Sequence, residues 1–151
     1  MRAGATLIAG GAAVLAIGFG GEAAAAAGCS ASAQGVSFGA YDPFDARAKD
    51  DGIGLIDVSC DSPVAYSIAI DAGAGGGSPA DRRMTGPAGT LRYNLYTDRS
   101  FQFVWGDGSG ATSTVSGSAT RSSFPVYGRI PARQNVSPGT YSDSVVVTIT
   151  Y

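Results

Sequence analysis

Beyond residue 35, apolar side chains recur at every second position, in short runs separated by clusters of glycine, proline, aspartate and serine. A period of two places successive side chains on opposite faces of a β-strand. No segment after residue 28 has the 3.6-residue period of an amphipathic helix. The sequence therefore predicts an all-β domain of about seven short strands, packed as a sandwich of two sheets.

Two regions have the clearest strand pattern. Residues 54–60 and 64–70 each place apolar side chains on one face, and the Asp61-Ser62-Pro63 turn between them predicts a hairpin. Residues 141–151 alternate most regularly and predict the last strand, whose outer edge would expose unpaired backbone groups.

Three further segments carry more specific predictions. The alternating aromatic residues of 101–105 predict another strand. Residues 122–132 contain Pro125 and Pro131, and because proline lacks an N–H, they predict an edge or bulged strand rather than a central one. The glycine-rich residues 72–81 have no side chains able to pack a core, so we expect a flexible loop there.

The composition excludes most catalytic and metal chemistry. The chain has no histidine, a single lysine (Lys49) and a single glutamate (Glu22), which removes Ser-His and Cys-His triads and the usual zinc sites. The turns at Asp50-Asp51-Gly52 and at residues 107–110 do not match the spaced carboxylates of a calcium loop. A net charge of −2 without a basic cluster argues against nucleic-acid binding. We predict no catalytic residues, no metal and no cofactor.

Residues 1–27 have the layout of a signal peptide. Arg2 precedes an apolar run over residues 3–21, and Glu22 and five alanines follow. Small residues at 25 and 27 permit cleavage before Gly28, which leaves a mature domain of residues 28–151 without a stable membrane span. Two alternatives remain at this point, an uncleaved membrane anchor and a lipid attached to Cys29.

The only cysteines, Cys29 and Cys60, both lie after this cleavage site. An even number of cysteines in an exported chain favours a disulfide, which would close a loop of about 30 residues and stabilise the fold by roughly 3 to 4 kcal/mol. Lipidation of Cys29 would leave Cys60 unpaired, and two buried free thiols are the other alternative.

Several motifs, taken in order, carry a family resemblance. Cys29 is followed by GVSFGAYDPF at 35–44, IDVSC at 56–60, YNLYTD at 93–98, VWGDG at 104–108, TVSG at 114–117, VYGRIPA at 126–132 and PGTYSDSVVVTITY at 138–151. Together they resemble the spore coat protein U domain family, which is shared with subunits of archaic chaperone-usher pili. The resemblance covers Cys29 to Tyr151.

The resemblance implies an immunoglobulin-like two-sheet sandwich that is incomplete because it lacks its last strand. It implies an exported structural or adhesive subunit of a bacterial pilus or coat, not an enzyme. The implied partners are a periplasmic chaperone, an outer-membrane usher and neighbouring subunits, which complete the sandwich by strand addition in the periplasm and at the cell surface.

The donor strand of a partner would enter a groove lined by alternating apolar residues. We expect this groove to be formed by Val36, Phe38, Val145, Val147, Ile149 and Tyr151. The alternative is that these side chains belong to the sealed core of a self-sufficient sandwich. Cleavage before Gly28 leaves no apolar donor segment ahead of Cys29, which predicts a subunit that accepts a strand without donating one, in a terminal or standalone position.

A different class of function is also compatible with the sequence. The chain could be a secreted monomeric binding module, for carbohydrate for example, that uses the loops at 72–81 and 106–112. Its aromatic residues could form a stacking platform, but their alternation favours a place in the core. The residues concerned are Tyr93, Tyr96, Phe101, Phe103 and Trp105.

Overall fold

The computed structural model describes residues 2–12 and 28–151, and all regular structure in these two ranges is β. The all-β prediction is therefore confirmed. No helix within those ranges is long and apolar enough to cross a membrane. The strands are β1 (Arg2–Ala12), β2 (Cys29–Ala40), β3 (Lys49–Cys60), β4 (Tyr66–Ile70), β5 (Gly77–Ser78), β6 (Asp81–Gly86), β7 (Gly89–Tyr96), β8 (Val104–Trp105), β9 (Thr112–Ser113), β10 (Val115–Gly117), β11 (Arg121–Ile130) and β12 (Thr140–Thr150).

The strands follow one hydrogen-bonded path in the order β10-β4-β12-β1-β2-β3-β11-β7-β6-β5. Strand β12 also pairs with β6 through Ser142 and Thr85, so the path returns on itself. The arrangement is consistent with the predicted immunoglobulin-like sandwich. In this path β1 lies between β12 and β2, and it is the strand on which the candidate site depends.

Aromatic contacts join the two layers of the sandwich. The Phe124 ring of β11 meets the rings of Tyr66 and Trp105 edge-on, at centroid distances of 6.3 and 6.5 Å. The Trp105 indole donates a 3.0 Å hydrogen bond to the carbonyl of Ile68 in β4. Such edge-to-face pairs stabilise a core beyond the area that they bury. They pack β4 against β11 and so hold the layers together.

The predicted strand at residues 101–105 is wrong in its first half. Only Val104 and Trp105 are extended, and Phe103 is 58% exposed. The Asp98 carboxylate accepts hydrogen bonds from the backbone N–H groups of Gln102 and Phe103, at 3.2 and 3.0 Å. This local bonding competes with strand formation. Of the five aromatic residues considered as a stacking platform for carbohydrate, Tyr93 and Trp105 are buried in the core. The five therefore do not form one exposed platform.

Strand β11 is central, which corrects the prediction of an edge strand. It lies between β3 and β7, although the predicted bulge is present between Gly128 and Ile130. Pairing with β7 involves only residues 127–129, so Pro125 lies where β11 has a partner on the β3 side alone. A proline is tolerated there because only one side of the strand needs ladder hydrogen bonds.

The glycine-rich loop at residues 72–81 is anchored rather than free. The N–H groups of Ala74 and Gly75 both donate 2.8 Å hydrogen bonds to Oδ1 of Asp143. A Cβ atom at Gly75 would lie 1.7 Å from the carbonyl oxygen of Arg83. Glycine is required here because the backbone passes so close to β6.

The Cys29–Cys60 disulfide is present, with the two Cα atoms 4.0 Å apart. The two residues face each other in the register of β2 and β3. The bond therefore joins the first residue of one strand to the last residue of its neighbour, and the predicted disulfide is confirmed.

Loss of this disulfide is expected to lower the free energy of unfolding by about 3 kcal/mol, because the unfolded chain gains the entropy of an open loop. The measurement is urea denaturation of the Cys29→Ser/Cys60→Ser double variant against the oxidised protein. The reduced wild type is the matched control and should resemble the variant. Equal stability of oxidised and reduced protein would contradict the prediction.

Candidate functional site: the seam between β12 and β2

The seam is the space between β12 and β2 that β1 occupies. All 11 residues of β1 pair in parallel with β12, from Arg2 opposite Thr140 to Ala12 opposite Thr150. On its other side β1 pairs antiparallel with the second half of β2, as far as Ala5 opposite Val36. Without residues 2–12, β12 and this half of β2 would each have an unpaired backbone edge, which is the condition for strand addition.

One face of β12 supplies an apolar wall of the seam. Val145, Val147 and Ile149 are at most 2% exposed, and they alternate with more exposed neighbours. Paired residues in adjacent strands share one face of a sheet. The register therefore places Leu7, Ala9 and Gly11 at the positions that correspond to these three buried residues.

Val36 and Phe38 lie on the opposite wall, in β2, and both are buried. The Phe38 ring meets the Tyr93 ring edge-on with centroids 6.0 Å apart, and it lies over Gly52 and Gly128, the glycines that face each other in β3 and β11. Both residues are thus held by the core as well as by the seam. Five of the six predicted groove residues lie along the two strands that flank β1.

Tyr151 lies apart from the other five. It follows the end of β12, is half-buried, and lines a shallow cavity with Tyr66, Ser67 and Gly117. These residues belong to β4 and β10, on the opposite side of β12 from β1. The structure therefore does not bring Tyr151 to the seam.

Asp143 is a residue of this region that the sequence reasoning missed. It is 5% exposed and accepts a 2.6 Å hydrogen bond from the Tyr93 hydroxyl, in addition to those from the loop at 72–81. Burial and the Asp143 carboxylate raise the pKa of the Tyr93 phenol. An aspartate at a core-facing position of an alternating strand was the only available signal. Its contacts hold β12 against β7 independently of β1.

Arg82 was also missed, and it is fully buried. Its guanidinium donates hydrogen bonds to the carbonyls of Asp71, Ile70 and Trp105 at 2.7, 2.9 and 2.8 Å, and to Oδ1 of Asn94 at 2.6 Å. Burial lowers the pKa of Arg82, an effect that the nearby Tyr93 and Asp71 oppose. One side chain of β6 therefore ties together β7, β8 and the end of β4.

The chemistry available at the seam is backbone hydrogen bonding and apolar burial. Within residues 2–12 and 28–151, no three side chains of the metal-binding types lie close enough to hold an ion. A seam with two strand edges and an apolar wall matches an extended polypeptide better than a small molecule.

Comparison with known proteins shows the family to which the sequence is related. A family model described as the Spore Coat Protein U domain matches residues 16–148. Protein U of Myxococcus xanthus is 35% identical over 127 residues, which cover 77% of this chain and 71% of that protein.

Two solved structures match this chain at low sequence identity, and the first of them shares its fold. The CsuC-CsuE chaperone-tip adhesion subunit pre-assembly complex from archaic chaperone-usher Csu pili of Acinetobacter baumannii contains a chain with a TM-score of 0.60 and 20% identity. That match covers 83% of this chain but only 40% of the other. The E. coli Hda pilus minor tip subunit HdaB has a TM-score of 0.48 at 17% identity, with 79% of this chain and 80% of HdaB covered.

Proposed function

Since this chain belongs to the Spore Coat Protein U domain family, we propose that it is an exported structural or adhesive subunit of a bacterial surface pilus or coat. In this proposal its sandwich is completed by a strand from a periplasmic chaperone and then from a neighbouring subunit, with an outer-membrane usher as the assembly platform. The protein passes through the periplasm and functions at the cell surface without catalysing a reaction.

The observation that carries the proposal is the strand that fills the seam. Residues 2–12 make an uninterrupted parallel ladder with β12, yet they belong to the segment that we propose is removed as a signal peptide. The proposed cleavage before Gly28, together with residues 13–27, lies outside the described residues. Once residues 1–27 are removed, the mature domain of residues 28–151 would have an open seam with buried apolar walls.

The walls of the seam favour an apolar strand as its occupant. Val145, Val147 and Ile149 lie on the core face of β12 next to β1, and each of them that the open seam exposed would cost about 1.5–3 kcal/mol. The unpaired backbone edges add to this cost. A partner strand with apolar side chains at alternate positions restores both contributions, and the parallel ladder seen here is one orientation that the seam accommodates.

The test compares the full chain with residues 28–151. We expect the full chain exported to a bacterial periplasm to be cleaved before Gly28 and to stay soluble only with a cognate archaic-type chaperone. Residues 28–151 refolded in vitro should be soluble only when a synthetic peptide of residues 2–12 is added. Intact mass reads the cleavage site and the disulfide, and size exclusion reads the complex. A stable free monomer of residues 28–151 would overturn the proposal and favour a secreted, self-sufficient binding module.

A matched pair of substitutions tests whether strand pairing is responsible. In the full chain, Ala9→Asp places a carboxylate at the position that pairs with buried Val147, whereas Ile8→Asp places it opposite Val146, which is 39% exposed. We expect Ala9→Asp, in the synthetic peptide or in the full chain, to abolish the solubilisation of residues 28–151, because a buried unpaired charge is costly. Ile8→Asp should leave the solubilisation intact. Equal behaviour of the two variants would argue against a strand in this register.

A further inference from the structure

Six polar side chains form two aligned rows on the outer face of β2, β3 and β11. The rows follow the strand register, because Ser59 faces both Ser30 and Arg121, and Asp57 faces both Ser32 and Ser123. Asp57 is half-buried and the others are exposed. A cavity of about 350 Å³ lies among them. This face points away from the core and does not include the seam.

The two charges of this serine-rich face have no oppositely charged partner in the described part of the chain. Among the described residues, no carboxylate lies within 4.0 Å of the Arg121 guanidinium, whereas Arg83, Arg92 and Arg129 each have an acidic partner. Asp57 accepts a short hydrogen bond from the Ser123 hydroxyl but has no cationic partner. Both charged groups are therefore available to a ligand.

The framework beneath these side chains is rigid at this end of the sheet. The Cys29–Cys60 disulfide lies directly beside Ser30 and Ser59. The N–H of Cys60 donates to the carbonyl of Thr120 at 2.7 Å, and the N–H of Asp61 donates to the carbonyl of Gly28 at 2.9 Å. Three strand ends are thus fixed relative to one another. A fixed set of polar groups binds with a smaller loss of entropy than a mobile set.

We propose that the serine-rich face binds an acidic polysaccharide through its uronic acid units. A guanidinium is the side chain best suited to grip a carboxylate through two parallel hydrogen bonds. Serine hydroxyls both donate and accept, and the Asp57 carboxylate accepts, as the hydroxyl groups of a sugar require. Arg121 and Asp57 are diagonal neighbours in the register, with backbone positions about 7–8 Å apart, so both side chains can contact one sugar ring and its carboxylate.

The lining also argues against other ligand classes. No aromatic ring is part of it, so an apolar or aromatic ligand has no surface on which to stack. With one arginine and one aspartate, the site has no net charge for a highly charged phosphate ligand, whereas a uronate unit has one carboxylate and several hydroxyls. The site is distinct from the seam, so the inference does not depend on strand addition.

The experiment is calorimetric titration of the purified full chain with an oligogalacturonate, and with a neutral glucose oligomer of equal length. We expect binding of the acidic oligomer alone, weakened at least ~10-fold by Arg121→Gln because a charge-assisted bidentate contact is lost. Asp57→Asn should weaken binding less. Arg121→Lys should recover only part of the affinity because lysine lacks the planar fork.

Arg47→Gln is the control, since it removes an exposed arginine from the turn after β2 and leaves the site intact. It should leave the affinity unchanged. The proposal is overturned if the acidic oligomer does not bind, if the neutral oligomer binds equally well, or if Arg47→Gln weakens binding as much as Arg121→Gln does. The last result would indicate diffuse electrostatic attraction rather than a site.

Discussion

Replacing Arg82 by methionine is expected to lower the free energy of unfolding by about 4–6 kcal/mol. Methionine fills a similar volume but donates no hydrogen bond, so the buried carbonyls of Ile70 and Trp105, the part-buried carbonyl of Asp71 and the Asn94 side chain each lose a donor at 2.6–2.9 Å. Each unsatisfied buried acceptor costs about 1–3 kcal/mol of stability. The variant regains part of this loss because methionine does not bury a charge. Urea denaturation of the full chain measures the difference.

The matched control is Arg92→Met on the adjacent strand. Arg92 is 63% exposed, and its ion pair with Asp81 at 2.7 Å is open to solvent. Exposed pairs contribute at most about 1 kcal/mol, so this variant should be nearly as stable as the wild type. If the two arginine variants had equal stability, the buried guanidinium network would not be a major source of stability.

The parts of the fold that the sequence predicted are those set by local periodicity. In β12 the alternation of Val145, Val147 and Ile149 alone identifies the buried face, and the structure confirms it. The hairpin prediction was only partly right, since residues 54–60 and 66–70 lie in strands but β3 pairs with β2 and β11 rather than with β4. Neighbours along the chain are not always neighbours in a sandwich, because connections cross between sheets.

The features that could not be predicted depend on contacts between distant residues. Nothing in the local sequence distinguishes buried Arg82 from half-buried Arg83, since the network of Arg82 depends on carbonyls of β4 and β8. Asp143 is linked to a loop about 70 residues earlier. The ladder of residues 2–12 with β12 is also non-local, because an apolar run of small residues is equally typical of a signal peptide.

The inner face of the sheet depends on two glycines that face each other, Gly52 in β3 and Gly128 in β11. A Cβ at Gly128 would lie 2.5 Å from two atoms of the Phe38 ring, and a Cβ at Gly52 would lie 2.6 Å from the same ring. Neither glycine has a positive φ, so the requirement is steric and not conformational. The missing side chains make the space in which Phe38 lies.

We therefore expect Gly128→Val to lower the free energy of unfolding by about 3–5 kcal/mol, because the Phe38 ring must leave its place and the core repacks around an enlarged neighbour. A double-mutant cycle with Phe38→Leu separates this cause from any change in the backbone. The smaller leucine makes room for valine, so the double variant should be more stable than the sum of the single effects predicts, by at least ~1 kcal/mol. Additive effects would mean that Gly128 serves the strand itself rather than Phe38. Since Phe38 lies on one wall of the seam, the coupling would also show that β3 and β11 shape this wall.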